Sequence, residues 1–155
     1  SARGLSCAGF LSPAVLDANG GTGYDLVELP GGHRRPYLRR HGEAGTVRIG
    51  PFSFVAGSLE KALAILREAD RPDLLVVDEV GPLELRGEGL WPGLCDAVRR
   101  PDLTALLVVR EEILEELGAA LTPLVPVVFD IRDPEDMKIL EERILAGTKP
   151  DDHPN

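Results

Sequence analysis

Two adjacent acids after a short apolar run are the residues of this sequence best suited to do chemistry. Residues 74–77 read Leu-Leu-Val-Val, and Asp78 and Glu79 follow them directly. This is the Walker B pattern, in which a buried strand places the first carboxylate at its C-terminal edge, where it can hold a water of a phosphate-bound Mg²⁺. The second carboxylate can then activate the attacking water, because an acid in a water-poor site accepts a proton. Alternatively, the strand simply ends in acids at the rim of its sheet.

The residues on either side of this pair carry a resemblance to a known family. Downstream the sequence reads D-E-V-G-P-L-E-L and upstream it reads G-F-L-S-P; the positions concerned are Gly9, Phe10, Pro13, Asp78, Glu79, Gly81, Glu84 and Leu85. With these motifs the chain resembles the thermophile-type nucleoside-triphosphatase family of P-loop proteins, also called cancer-related nucleoside-triphosphatases, over most of residues 4–131. The resemblance implies a domain that hydrolyses ATP or GTP, with Asp78 on Mg²⁺ and Glu79 as the catalytic general base.

The phosphate-binding loop of such proteins does not occur in these 155 residues. The motif G-x-x-x-x-G-K-[ST] supplies backbone N–H groups and a lysine to the phosphates. Lys61, Lys138 and Lys149 lack the spaced glycines, and none precedes Ser or Thr. The chain thus resembles a family member without its first strand, P-loop and first helix, and a shortened chain, a split gene or a degenerate paralogue fits this. We expect no hydrolysis unless the P-loop is supplied.

Arg110 is a second candidate catalytic residue. It directly follows the apolar run 103–109, which predicts a buried strand. If that strand and the strand of Asp78 are parallel neighbours, both residues lie at the same sheet edge. Arg110 can then stabilise charge on the γ-phosphate, or it can pair with Glu79, Glu111 or Glu112.

The elements that must position these side chains belong to one predicted domain, residues 1–148, followed by a frayed tail, 149–155. Residues 7–54 are strand-like and turn-rich, which indicates hairpins. The glycine-rich stretch 19–23 lies between two such strands and has no lysine after it, so a hairpin turn is favoured over a phosphate cradle. At Ser58 the apolar spacing becomes helical, and Ser58 is expected to cap the first turn.

Residues 58–148 alternate between helical and strand patterns. We predict helices over 58–70, 89–100, 111–118 and 133–147, the third closed by Gly118, and buried strands over 74–78, 103–109 and 125–131. This alternation predicts an α/β fold of the P-loop NTPase type, with a parallel sheet covered by helices on both faces and a hairpin-rich N-terminal insertion.

Charge and cysteine content limit the expected partners and compartment. The formal net charge is −9, which argues against nucleic acid or an anionic membrane as the main partner. The basic cluster 33–40 could contact phosphates or RNA, but a solvated surface is favoured. Cys7 and Cys95 are the only cysteines, and without a signal peptide or an 18-residue apolar run we expect a cytoplasmic protein that binds a nucleoside triphosphate and no membrane.

Three function classes remain open. The first is the Walker B half of a Mg²⁺-dependent ATP or GTP phosphohydrolase; the second is a non-catalytic interaction module on the same scaffold; the third is a nucleotide kinase-like phosphotransferase, which would need an acceptor pocket. In related folds the first strand lies beside the Walker B strand, so its absence would open an apolar edge at residues 74–78. We expect a second copy, a partner chain or a rearranged strand order to cover that edge.

Overall fold

The computed structural model describes residues 5–18, 20–40, 47–69 and 71–147. The strands are Cys7–Leu11 (β1), Ala14–Asp17 (β2), Gly20–Leu29 (β3), Arg34–Arg40 (β4), Arg48–Ile49 (β5), Phe52–Phe54 (β6), Leu74–Val80 (β7) and Thr104–Val109 (β8). The α-helices are Ser58–Glu68 (α1), Pro82–Leu85 (α2), Trp91–Val98 (α3), Leu114–Ala120 (α4) and Pro134–Ala146 (α5), and a 3₁₀ turn spans Glu111–Ile113. The predicted tail 149–155 and residue 19 of the glycine-rich turn lie outside the described residues.

All the described strands belong to one mixed sheet, in the order β5-β6-β4-β3-β1-β7-β8, with β2 paired to β3. β7 is parallel to both β1 and β8, and the hairpin strands are antiparallel. The expected α/β fold is confirmed, but the sheet is mixed rather than parallel throughout. The reason is that β1 pairs with β3 as well as β7, so residues 7–54 continue the sheet instead of forming a separate layer.

β7 is covered on both faces, which explains its uninterrupted apolar sequence. Leu75 and Val77 are fully buried and belong to a core that includes side chains of α1, α3 and α4. On the opposite face, Val76 pairs in register with Leu106, which lines a cavity of about 630 Å³ beneath α5. No side chain of α5 is fully buried, so this face is packed less tightly than the other.

Gly9 of the G-F-L-S-P motif permits the close approach of β1 to β7. Its φ is +107°, and a Cβ atom built on it would lie 1.9 Å from the carbonyl oxygen of Val76. Any side chain here would therefore collide with the backbone of the neighbouring strand. The adjacent Phe10 is fully buried and anchors β1 in the core.

The third predicted strand, 125–131, is not a strand in the structure. Val125, Val128 and Ile131 are exposed, Val125 to 85%. Pro126 lies inside the run and has no N–H to donate to a ladder. In the part of the chain that the structure describes, the outer edge of β8 has no strand partner.

α1 begins at Ser58 as predicted, but the predicted cap of α1 and the predicted end of α4 were wrong. Ser58 does not cap α1, because Gly57 occupies the N-cap position and the Ser58 hydroxyl donates to the carbonyl oxygen of Tyr37 at 2.9 Å. α4 continues past Gly118 to Ala120. A glycine inside a helix costs only about 1 kcal/mol relative to alanine, so it does not by itself end the helix.

The open edge expected at residues 74–78 is absent because β8 pairs directly with β7. β8 therefore covers the edge of β7 that a second copy, a partner chain or a rearranged strand order was expected to cover. Among the described residues, β8 and β5 are the two edge strands at the ends of the sheet.

We expect Gly9→Ala to lower the unfolding free energy by about 2 kcal/mol or more beyond the loss caused by Gly20→Ala. Gly20 is a matched control, because its φ is +111° and a Cβ atom there would meet nothing within 4 Å. The difference between the two variants therefore isolates the collision with Val76 from the cost of the backbone conformation. Urea denaturation measures both, and equal losses would contradict the close-approach explanation.

Candidate active site

Asp78 lies at the carboxyl edge of the parallel strands, beside the end of β1. It is half-buried, and its Oδ2 accepts a hydrogen bond from the backbone N–H of Ser12 at 2.9 Å. The Ser12 hydroxyl in turn donates to the Asp78 carbonyl oxygen. The loop that follows β1 therefore holds both the backbone and the carboxylate of Asp78. The structure places Asp78 at the rim of the parallel strands with residues 74–77 buried behind it, as predicted.

Glu79 leaves the ladder at the next residue. The β7–β8 register pairs Asp78 with Val108 and Val80 with Val109, so Glu79 is the extra residue of a bulge; the Asp78–Glu79 peptide bond is cis. A bulge re-aims a side chain relative to the strand. The Glu79 side chain is 40% exposed, whereas Val80 is fully buried. The side chains of Asp78 and Glu79 therefore lie in different environments, although the two residues are adjacent.

Arg110 follows β8 and lies at the same sheet edge. Its Nε donates to Oε1 of Glu79 at 2.5 Å, with 52% of the Arg110 side chain exposed. The hydrogen bond to Glu79 raises the pKa of Arg110, so this side chain is a permanent cation. Pairing with Glu79 was one of the two roles expected of Arg110. Ion pairs this exposed typically contribute only ~0.2–1 kcal/mol, so little free energy is needed to separate them.

Glu84 of the D-E-V-G-P-L-E-L block is buried, with 3% of the residue exposed. Its Oε2 accepts from the N–H of Gly81 at 2.9 Å and its Oε1 accepts from the N–H of Leu90 at 3.1 Å. Burial raises the pKa of this carboxyl. Glu84 therefore holds the segment 81–90 beside Glu79. The sequence analysis noted Glu84 only as a motif residue; its placement three residues after Gly81 was the available signal for a capping interaction.

The donor set at this edge can be compared with what Mg²⁺ requires. Within the described ranges, no group of three or more His, Cys, Asp or Glu side chains could hold a metal ion. Mg²⁺ keeps several waters and is usually bound through one or two carboxylates together with substrate phosphates. A half-buried Asp78 beside the Ser12 hydroxyl fits an ion that arrives with a nucleotide.

The basic cluster 33–40 is largely paired within the sheet. Arg34 and Arg39 both contact Asp25, at 2.7 and 2.5 Å, and Arg35 lies 3.9 Å from Glu28. The pKa of Asp25 is lowered, because the hydrogen bonds from these two arginines outweigh its partial desolvation. The side chains of Arg34 and Arg35 are 55% and 44% exposed, which is consistent with the favoured interpretation of a solvated surface.

Sequence comparisons place this arrangement among known proteins. A family model described as NTPase matches residues 1–143. Nucleoside-triphosphatase THEP1 of Methanopyrus kandleri is 32% identical over 135 residues, which are 84% of this chain and 66% of that protein. Nucleoside-triphosphatase THEP1 of Archaeoglobus fulgidus is 34% identical over 147 residues, which are 92% of this chain and 84% of that protein. This chain therefore spans just under two thirds of the Methanopyrus relative.

Two solved structures share the fold. The crystal structure of THEP1 from Aquifex aeolicus has a TM-score of 0.67 at 18% identity and covers 94% of this chain and 85% of its own. The solution structure of a human cancer-related nucleoside triphosphatase has a TM-score of 0.67 at 22% identity, over 96% of this chain and 86% of its own. Likenesses at these identities establish the P-loop NTPase-like fold. Across the described residues, no helix is both long and apolar enough to span a bilayer.

We expect the difference in unfolding free energy between the parent chain and Glu84→Gln to decrease as the pH rises above about 4.5. Burial raises the folded-state pKa of Glu84 above its ordinary value of 4.5, so the folded chain retains this proton where the unfolded chain has lost it. That contribution to stability is complete below the unfolded pKa and is lost as the pH rises through the folded pKa. Urea unfolding at a series of pH values measures the difference.

The exposed variant Glu88→Gln is the control for the same substitution in the same segment. The difference in unfolding free energy between Glu88→Gln and the parent should not show the pH dependence expected for Glu84→Gln. Identical profiles for the parent and Glu84→Gln would show that the burial of Glu84 has no effect on its titration.

Proposed function

Because this chain belongs to the nucleoside-triphosphatase family, we propose that it carries the Walker B half of a Mg²⁺-dependent ATP or GTP phosphohydrolase. One observation carries the proposal: Asp78 and Glu79 diverge at the carboxyl edge of β7, the first held by Ser12 and the second turned outward by a bulge. Phosphoryl transfer depends on positioning and on charge neutralisation at such an edge.

Asp78 would hold the Mg²⁺ that accompanies the nucleotide, which supplies positive charge to the phosphate oxygens when bound. Its Oδ2 accepts a hydrogen bond from the N–H of Ser12, which fixes the orientation of the carboxylate. Asp78 would therefore orient the ion, while the neighbouring acid would handle the proton.

Glu79 would accept the proton of the attacking water. In the structure its carboxylate is occupied by Arg110, so the two must separate before Glu79 can bind water. A triphosphate is a stronger partner for a guanidinium than one carboxylate. Arg110 can therefore move to the γ-phosphate charge, which would free Glu79 as the base and combine the two roles considered for Arg110.

The phosphate cradle is the component that these residues do not contain, because G-x-x-x-x-G-K-[ST] is absent from them. Loss of one key transition-state donor typically costs at least ~2.7–4 kcal/mol. We therefore propose that these residues alone do not hydrolyse nucleotides at an appreciable rate.

The free thiols of Cys7 and Cys95 are consistent with a reducing, cytoplasmic location.

In a protein that joins a P-loop segment to these residues, Glu79→Gln should lower the hydrolysis rate by ~10²-fold or more and keep Mg-nucleotide binding. Asp78→Asn should also weaken the Mg²⁺-dependent part of binding. Steady-state phosphate release and calorimetry measure the two effects, with the exposed Glu88→Gln as the matched control. Hydrolysis by Glu79→Gln at the parental rate would show that Glu79 is a structural acid.

The 155-residue chain by itself should bind ATP with a Kd in the millimolar range, about −4 kcal/mol. It should also run larger than its mass of 16.7 kDa, because the outer edge of β8 and the exposed valines 125 and 128 favour association. Calorimetry tests the first expectation and light scattering the second. Micromolar ATP affinity would contradict the need for a separate phosphate cradle, and a monodisperse monomer would contradict association.

A further inference from the structure

A cavity of about 350 Å³ lies beside Glu79, between the antiparallel part of the sheet and α2. Its walls come from β3, β4, the β5–β6 turn and the segment that Glu84 holds. This volume falls within the range of small-molecule sites, which combine apolar walls with a few polar groups. The roles proposed for Asp78, Glu79 and Arg110 do not involve this cavity.

Two aromatic side chains, Tyr24 and Phe52, line the cavity and are only half-buried. Their rings meet edge to face, with centroids 5.4 Å apart and planes at 75°. The guanidinium of Arg40 lies 5.2 Å from the Phe52 centroid and fixes that ring from one side. Half-exposed rings held in this way offer apolar faces to another ring.

Polar groups also line this cavity. They include Ser12, Glu79 and Arg110, which carry a hydroxyl, a carboxylate and a guanidinium. A carboxylate accepts a hydrogen bond from a hydroxyl group. A ligand that satisfies both the rings and the carboxylate therefore has an aromatic ring and at least one hydroxyl group directed at Glu79.

The position of Glu79 indicates which molecule this ligand is. In phosphoryl transfer the attacking and leaving oxygens lie roughly in line through the phosphorus. If Glu79 activates the attacking group, then whatever occupies the cavity lies on the attacking side. The nucleoside diphosphate that leaves, with its own base, lies on the far side. A ring in the cavity thus belongs to a second molecule.

We propose that this cavity binds a nucleoside-like compound, an aromatic ring with hydroxyl groups, as a phosphoryl acceptor. The reaction rests on the proposed function, in which Glu79 is the general base. Glu79 takes the hydroxyl proton, the acceptor oxygen bonds to the γ-phosphorus, and the bond from that phosphorus to the β–γ bridging oxygen breaks. The products are a nucleoside diphosphate and the phosphorylated acceptor, and Glu79 returns its proton to solvent. Binding of the ring itself needs neither Mg²⁺ nor a triphosphate.

The test is titration of the 155-residue chain with adenosine, guanosine, cytidine and uridine, followed by NMR chemical shifts and calorimetry. At least one nucleoside should bind with a Kd below about 1 mM. Phe52→Leu and Tyr24→Leu should each weaken that binding by tenfold or more. Phe129→Leu is the matched control, since Phe129 is also half-buried with an arginine, Arg143, 5.8 Å from its ring, and it lies outside the cavity; its affinity should be unchanged.

The nucleoside should still bind when a non-hydrolysable Mg-triphosphate is present. Displacement by the triphosphate would overturn the proposal, because the ring site would then belong to the nucleotide itself. Absence of binding by all four nucleosides, or equal loss in Phe129→Leu, would overturn it as well. Nucleoside binding without hydrolysis in a P-loop-containing protein contradicts only the proposed hydrolase, whereas hydrolysis without nucleoside binding contradicts only this inference.

Discussion

The side-by-side pairing of β1 and β7 is the interaction on which the rest of this structure depends. It requires a residue without a side chain at Gly9, where β7 presents the carbonyl of Val76. Once the strands are in register, β1 ends beside the end of β7, and Ser12 reaches Asp78. A glycine in the interior of the sheet thus determines whether a carboxylate at its rim is held in place.

The two acids differ in environment because the ladder is interrupted between them. Asp78 remains in register and is tied to a neighbouring loop, whereas Glu79 is carried out of the ladder and meets Arg110. Asp78 is therefore held in a fixed position, whereas Glu79 is suited to exchange partners. The buried Glu84 completes the arrangement, since its two backbone hydrogen bonds keep the following segment against the sheet.

Much of this arrangement could be predicted from local sequence. The apolar run before Asp78 indicated a buried strand ending at a sheet rim, and helical spacing indicated α1, α3 and α5, all of which the structure contains. The apolar run at 125–131 predicted a strand that the structure does not contain. Pro126 lies inside this run and has no N–H to donate to a β-ladder. The bulge at Glu79 could not be predicted, since it depends on how β8 meets β7. The aromatic cavity depends on the order of β3, β4 and β6, which brings Tyr24 and Phe52 together although they are far apart in the chain.

The long separation of β1 and β7 along the chain also affects the order of folding. The contact between Ser6 and Asp73, at the start of these strands, joins residues 67 positions apart, whereas β3 and β4 are joined by a short turn. Closing a long loop costs more entropy than forming a hairpin, and non-local pairings form more slowly. We therefore expect the antiparallel hairpins to form early and the parallel strands late. The edge that carries Asp78 and Glu79 would then be among the last parts of the molecule to form. A partly folded chain would therefore already contain the basic cluster 33–40 before these two acids are in place.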